Sequence, residues 1–181
     1  MEHRVTTPHI TLKHYTDSDL AEIRQTLLDV HTDAYAARMT EPFVQRFPWF
    51  VDHWAGKPGF SCVIVYDSGG QAIGFTYGAP SEAGREWWRE YVNPAPADTS
   101  TFAVSELMLR VNWRGRGLGR QLHEALVGAR DEALAVLTVD TKRPKLRAMY
   151  GSWGYRNIGE QQPFPDSPMY AVMLLDLRDG N

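Results

Sequence analysis

The sequence predicts one α/β domain with a mixed, mostly antiparallel sheet, a parallel central pair of strands and helices on both faces. Three observations point there. An apolar run from Phe102 to Val111 leads through a glycine-rich turn into an amphipathic segment beginning at Leu118, and a short apolar run, Val136 to Val139, follows. Strand, helix and strand in that order make a parallel pair with a right-handed crossover. Two further runs, Phe60 to Tyr66 and Gln71 to Tyr77, flank Asp67-Ser68-Gly69-Gly70, a hairpin signal that pairs them antiparallel. Tyr155 to Gln161 and Met169 to Leu177 read as the last two strands, on either side of a loop carrying Pro163, Pro165 and Pro168.

The remaining elements follow in order. Residues 1–8 are polar and read as a loose tail. Ile10 to Tyr15 alternates apolar and polar side chains, the pattern of a half-buried strand. Thr16-Asp17-Ser18-Asp19 supplies helix-capping residues, and Leu20, Ile23, Leu27, Leu28 and Val30 continue at helical spacing. A second helical stretch runs from Glu41 through Ala55, interrupted or kinked near Pro48. Pro80 to Ser100 reads as a short helix and a proline-rich loop. It is long for a connector, which suggests a functional segment. The amphipathic segment runs from Leu118 to about Ala133, with Leu118, Leu122, Ala125, Leu126, Ala129 and Ala133 on one face. Lys145 to Trp153 reads as a helix that ends at Gly154.

The 181 residues, 43% hydrophobic and 23% charged, describe one ordinary globular domain. A net charge of -3 gives no global attraction to nucleic acid. Cys62, the single cysteine, cannot form an internal disulfide; inside Cys62-Val63-Ile64-Val65 it reads as an inert core thiol. No apolar run is long enough to cross a membrane, and the N-terminus lacks the apolar stretch of a signal peptide. The expectation is a cytoplasmic protein without a membrane or nucleic-acid partner; a homodimer is compatible with the sequence. No two His, Cys or carboxylate positions have metal-ligand spacing, so no metal is expected.

The chemistry centres on Arg114-Gly115-Arg116-Gly117-Leu118-Gly119. The first N–H groups of a helix have no partner within it, and glycines let a ligand approach them closely. A strand, a glycine turn and a helix therefore make an anion cradle, here surrounded by Arg110, Arg114, Arg116 and Arg120. The Walker loop is excluded because no Gly-Lys-Ser/Thr triplet occurs, and the dinucleotide fingerprint fails because Arg120 stands where its third glycine belongs. What remains, Arg-x-x-Gly-x-Gly, resembles the pyrophosphate-binding signature of the GNAT N-acetyltransferase superfamily. Glu106-Leu107-Met108-Leu109 on the preceding strand and Tyr150-x-x-x-Gly154-Tyr155 further on extend the likeness through most of the C-terminal half.

The resemblance implies an acetyl-CoA-dependent N-acetyltransferase with the co-substrate wedged where the parallel central strands splay. Backbone groups of Leu109, Arg110 and Val111 would pair with the pantetheine arm. The pyrophosphate would rest on N–H groups of Arg116, Gly117, Leu118, Gly119 and Arg120, with Arg114 close by. Tyr150 occupies the family's position for the acid that protonates the leaving thiolate. One departure is Arg143, standing seven residues earlier where the family often has Asn. Glu106 is either the base that deprotonates the amine or a carboxylate serving neighbouring backbone or an arginine. His31, His53 and His123 are weaker candidates, and His123 reads as a solvated helix residue. Trp87, Trp88 and Tyr91, with Trp49, Phe50 and Trp54, fall in segments that shape the acceptor side in this family; flat rings suit an aromatic or cationic amine. The acceptor is expected to be a small-molecule or peptide amine. A domain that senses acyl-CoA without transferring anything is the alternative.

Overall fold

A computed structural model describes residues 9–178, so the expected tail at 1–8 lies outside the described residues. The strands are β1 Thr11–Thr16, β2 Ser61–Tyr66, β3 Ala72–Pro80, β4 Thr101–Leu109, β5 Leu134–Asp140, β6 Arg156–Gln161 and β7 Tyr170–Asp176. They form one sheet in the order β1-β2-β3-β4-β5-β7-β6, in which only β4 and β5 run parallel. The helices are α1 Leu20–Ala34, α2 Pro42–Gln45, α3 Phe47–Ala55, α4 Leu118–Gly128 and α5 Pro144–Ser152.

Side-chain alternation on the strands sorts these helices onto two faces. Ile23, Leu27 and Val30 of α1 and Phe47 and Val51 of α3 pack on Ile64, Phe75, Tyr77 and Met108. On the opposite face Leu118, Leu122 and Leu126 of α4 pack with Tyr150 of α5 on Val63, Val65, Phe102, Val104, Leu137 and Val139. Cys62 sits fully buried between apolar neighbours, and desolvation pushes its thiol well above the usual range, as expected of an inert core residue.

The second helical stretch is interrupted beside Pro48, as expected: it breaks at Arg46, and the proline serves in the first turn of α3, where its missing N–H costs no bond. Several other boundaries differ from those expected. β4 stops at Leu109; Arg110 turns the chain into a single 3-10 turn over Val111–Trp113. α4 ends at Gly128, five residues short of the Ala133 that its apolar spacing reaches; Ala133 instead packs with Leu134 and Trp88. Residues 81–100 form turns and no helix. They are anchored by Trp88, which is fully buried against Ala103, Val136 and Val172 and donates its indole N–H to the Thr101 hydroxyl at 2.8 Å.

Two irregularities of β4 shape the site. First, β4 and β5 pair only over Thr101–Ala103 and Leu134–Val136, after which they continue to Leu109 and Asp140 without pairing to each other. The central pair splays. Second, the register with β3 shifts between Tyr77↔Glu106 and Gly78↔Val104, leaving Ser105 as an extra residue. Phe102 and Val104 face α4, and after the bulge Leu107 packs on that same side. Glu106 consequently turns to the face of α1 and α3, beside Tyr77. The Thr76 hydroxyl donates to the Glu106 carbonyl at 2.7 Å and pins the bulge. Gly78 is required opposite it, because a Cβ there would collide with the Ala103 carbonyl oxygen.

Candidate active site

The splay opens a cleft of about 400 Å³. One wall is Val104 to Leu107 of β4 and the other is Leu137 to Asp140 of β5, with Arg143, Leu146 and Tyr150 from the start and body of α5. α1 contributes His31 and Tyr35; α2 and α3 contribute Phe43, Phe47, Phe50 and Trp54; the β6–β7 connection contributes Phe164. Glu106 and Tyr150, far apart in sequence, meet in this cleft.

Glu106 is half-buried there, and low-dielectric surroundings push its carboxyl up to about 8. No cation pairs with it among the described residues. Its neighbours are phenols: the hydroxyls of Tyr35, Tyr77, Tyr150 and Tyr170 all feel its charge. Burial, with that charge, pushes Tyr35 up to about 12 and Tyr150 higher still, so both stay protonated at neutral pH. Tyr150 is only 6% exposed and lines the cleft, and among the described residues its hydroxyl makes no hydrogen bond. The Tyr77 hydroxyl is a buried orphan beside Glu106; Ser105 acts on its ionisation without an aligned hydrogen bond.

The glycine turn lies on the exposed surface at the start of α4. Gly115 and Gly117 adopt left-handed conformations at φ 75° and 77°. Leu118 is buried in the α4 core and fixes the helix start from below. Among the described residues, the backbone N–H groups of Gly115 to Arg120 make no turn or loop bond. That leaves a cradle of amides facing outward at the positive end of the α4 dipole. The arginines around it are partly engaged. Arg110 donates from Nε to the Ala72 carbonyl, Arg114 to the Ala34 carbonyl and Arg116 to the Asn112 carbonyl, and Arg120 pairs with Glu124. The Val111 N–H donates to Asp33 and the Arg110 N–H to the Ile73 carbonyl. The exposed pair Arg120–Glu124 and the single-bond contacts of Arg114 and Arg116 can reorganise at low cost; the Arg110 contacts secure the end of β4.

The aromatic candidates divide. Trp87 lines the cleft, edge-on to Trp54 at 5.9 Å. Trp88 belongs to the core beneath the 81–100 segment. Tyr91 packs on Gly159 and donates to the Glu160 carbonyl at 2.8 Å, away from the cleft lining. His123 is not solvated: it is 3% exposed, and Nε2 lies 2.7 Å from the Tyr155 hydroxyl. Sequence reasoning missed Tyr35, Phe43, Phe47, Phe164 and Tyr170, whose segments carry no chemical motif; the three prolines around Phe164 were the one local sign of a fixed loop. Among the described residues no group of three His, Cys, Asp or Glu side chains is placed to hold a metal, and no helix is long and apolar enough to cross a membrane.

Comparison with known proteins adds to this geometry. The family model described as "Acetyltransferase (GNAT) family" matches residues 21–155. The fold is similar to that of an acetyltransferase from Thermus thermophilus, at 18% identity and a TM-score of 0.60, covering 93% of this chain and 97% of that one. It is also similar to Arabidopsis thaliana NAA60 in complex with a bisubstrate analogue (14%, TM-score 0.64, 94% and 100% covered). A third is the aminoglycoside N-acetyltransferase AAC(6')-Iy in complex with CoA (12%, TM-score 0.60, 88% and 96% covered). At these identities the likeness is one of fold. Among curated proteins no sequence matches this one.

Proposed function

The chain belongs to the acetyltransferase (GNAT) family, and on that premise we propose that it moves an acetyl group from acetyl-CoA to a primary amine by direct attack, with Glu106 as base and Tyr150 as acid. The observation that carries this reading is the meeting of Glu106 and Tyr150 in the cleft between the splayed strands.

Each requirement of the reaction finds a group. The diphosphate takes the outward amides of Arg116 to Arg120, with Arg114 and Arg116 swinging onto it. The pantetheine arm extends along β4, whose edge toward β5 is unpaired beyond Ala103, and pairs with it as an added strand. The fit favours Leu109 for this role, since the N–H groups of Arg110 and Val111 already have acceptors. Arg143 stands at the cleft wall ahead of α5, where its guanidinium can meet a carbonyl of the arm.

Glu106 accepts a proton from the substrate ammonium and passes it to solvent. A carboxyl titrating at about 8 takes up such a proton far more readily than one at its ordinary 4.5. The amine nitrogen then bonds to the thioester carbon and the carbon–sulfur bond breaks. The Tyr150 hydroxyl gives its proton to the departing sulfur and is restored by the proton that the nitrogen sheds. Cys62 is no acyl carrier, being buried and held as a thiol.

The test is a thermal-shift comparison of acetyl-CoA, ATP and NAD, joined to an assay for acetylated product. A ligand selective for the folded state at about 100 times its Kd stabilises by about 2.7 kcal/mol, so acetyl-CoA should raise the melting temperature by several degrees while ATP and NAD do not. Equal shifts from all three would sink the cradle assignment. Selective binding without product from any amine would leave an acyl-CoA sensor instead.

A further inference from the structure

One part of the cleft is a cluster of rings. Phe43 and Phe50 lie 5.6 Å apart, and Phe164 lies 6.4 and 5.8 Å from them. The Arg46 guanidinium sits between 5.3 and 5.8 Å from all three rings and pairs with Asp166 at 2.7 Å. This clasp straps the β6–β7 connection onto α2 and α3. Trp54 and Trp87 form the opposite rim. His31 stacks on Phe47 at 3.9 Å, and burial lowers its pKa to about 4, so the imidazole adds a neutral ring to the wall. The charged side chains of the lining are Glu106 and Asp140 with Arg38, Lys57 and Arg143.

We propose that the acceptor is a small aromatic primary amine, its ring held among Phe43, Phe50, Phe164 and Trp54 and its amino group delivered to Glu106. This rests on the acetyl-transfer reading above. Two features select the class. The cleft is about 400 Å³ and must also hold the thioester end of the arm, which leaves space for one ring and a short tether; an apolar cavity of about 150 Å³ is enough to take up benzene. Phe43, Phe47, Phe50, Trp54, Trp87 and Phe164 make this part of the lining ring-rich, and a polyhydroxylated acceptor would lose water against those rings.

The experiment uses the full chain at saturating acetyl-CoA and follows release of the CoA thiol with 2-phenylethylamine, tryptamine, spermidine, kanamycin and a peptide with a free N-terminus. The two aryl amines should give a kcat/KM roughly tenfold or more above the others, the scale of discrimination that a fitted apolar pocket provides. Phe50→Ala should raise KM for the aryl amines by about tenfold and leave KM for acetyl-CoA unchanged. Phe164→Ala serves the same purpose if the first variant loses its fold, which a melting curve reports. Preference for spermidine, kanamycin or the peptide overturns the aromatic class and leaves acetyl transfer standing, as does an unchanged aryl-amine KM in both variants. No thiol release with any amine, from a protein that acetyl-CoA stabilises, overturns the transfer reading and this inference with it.

Discussion

Glu106 combines two properties that the sequence alone could not join. Its place on the strand before the glycine turn was legible, and so was its carboxyl chemistry. Its orientation was not, because alternation along an unbroken strand sends Glu106 to the same face as Phe102 and Val104, under α4. The extra residue at Ser105 reverses this and sets the carboxyl beside Tyr77. Nothing in Val104-Ser105-Glu106 announces a bulge, since the cause lies in the partner strand at Gly78 and in the Thr76 hydroxyl. The raised pKa follows from that position, with no cation near enough to offset the burial. The pH dependence has a definite sign. The base is the ionised form, so kcat/KM should climb about tenfold per pH unit below 8 and level above it. Glu106→Gln should lower the plateau by about 10²-fold and abolish the slope, the scale on which a general base contributes. Rates measured from pH 6 to 9 check this; an unchanged profile in the variant removes Glu106 from the chemistry.

At the scale of elements, the strand–turn–helix unit was the most legible part of the chain. Its signals are local: apolar β-branched residues, then glycines, then helical spacing. Gly117 needs to be glycine for its own conformation, at φ 77°. Gly119 does not. It lies inside α4, and a Cβ there would meet Leu107 at 3.5 Å and Trp153 at 4.0 Å, ordinary contact distances. Its N–H nevertheless belongs to the amide cradle, which a methyl beside it would crowd. Gly119→Ala should therefore keep or slightly raise the melting temperature, since alanine favours a helix over glycine by about 0.8–1.0 kcal/mol. If the diphosphate lies on this turn, the same substitution should weaken acetyl-CoA by roughly tenfold in calorimetry, a cost of about 1.4 kcal/mol. Unaltered affinity with unaltered folding would move the diphosphate elsewhere. The segment 81–100 shows the opposite kind of legibility. Its length and tryptophans were visible, but their use was not: Trp88 is core and Tyr91 braces β6 at Gly159, while Trp87 alone reaches the cleft. Which ring of such a cluster faces inward depends on turn geometry that composition does not encode.

Three buried titrating groups tie the whole molecule to pH, and they act in opposite directions. His31, between Tyr35 and Phe47, and His123, against Tyr155 and Trp153, are both lowered from 6.5 to about 4, chiefly by burial; Glu124 and Arg120 act weakly on His123 with opposite signs. An unfolded chain protonates these rings below 6.5 while the folded one resists, so their contribution is intact above 6.5 and is lost as pH falls toward 4. Glu106 is raised from 4.5 to about 8, so the folded state holds its proton in a range where the unfolded chain has released it. Its contribution is intact below 4.5 and is lost as pH rises through 8. Where the windows overlap, from 4.5 to 6.5, two histidines oppose one carboxyl and the histidines prevail. Above 6.5 only Glu106 is left titrating among the three, so the melting temperature should peak near 6.5 and fall on both sides. Two substitutions separate the limbs. Glu106→Gln should flatten the alkaline limb and stabilise the protein at pH 8 by an amount on the order of a few kcal/mol, since a tenfold change in a proton's affinity is worth about 1.36 kcal/mol. His123→Gln, which can still bond the Tyr155 hydroxyl, should shallow the acid limb and leave the alkaline one alone. Melting curves from about pH 4 to 9 on the three proteins decide it. A Glu106→Gln variant no more stable than the parent at pH 8 would mean that the carboxyl reaches water more freely than its cleft allows, and the proton-accepting role would lose its physical basis along with the alkaline limb.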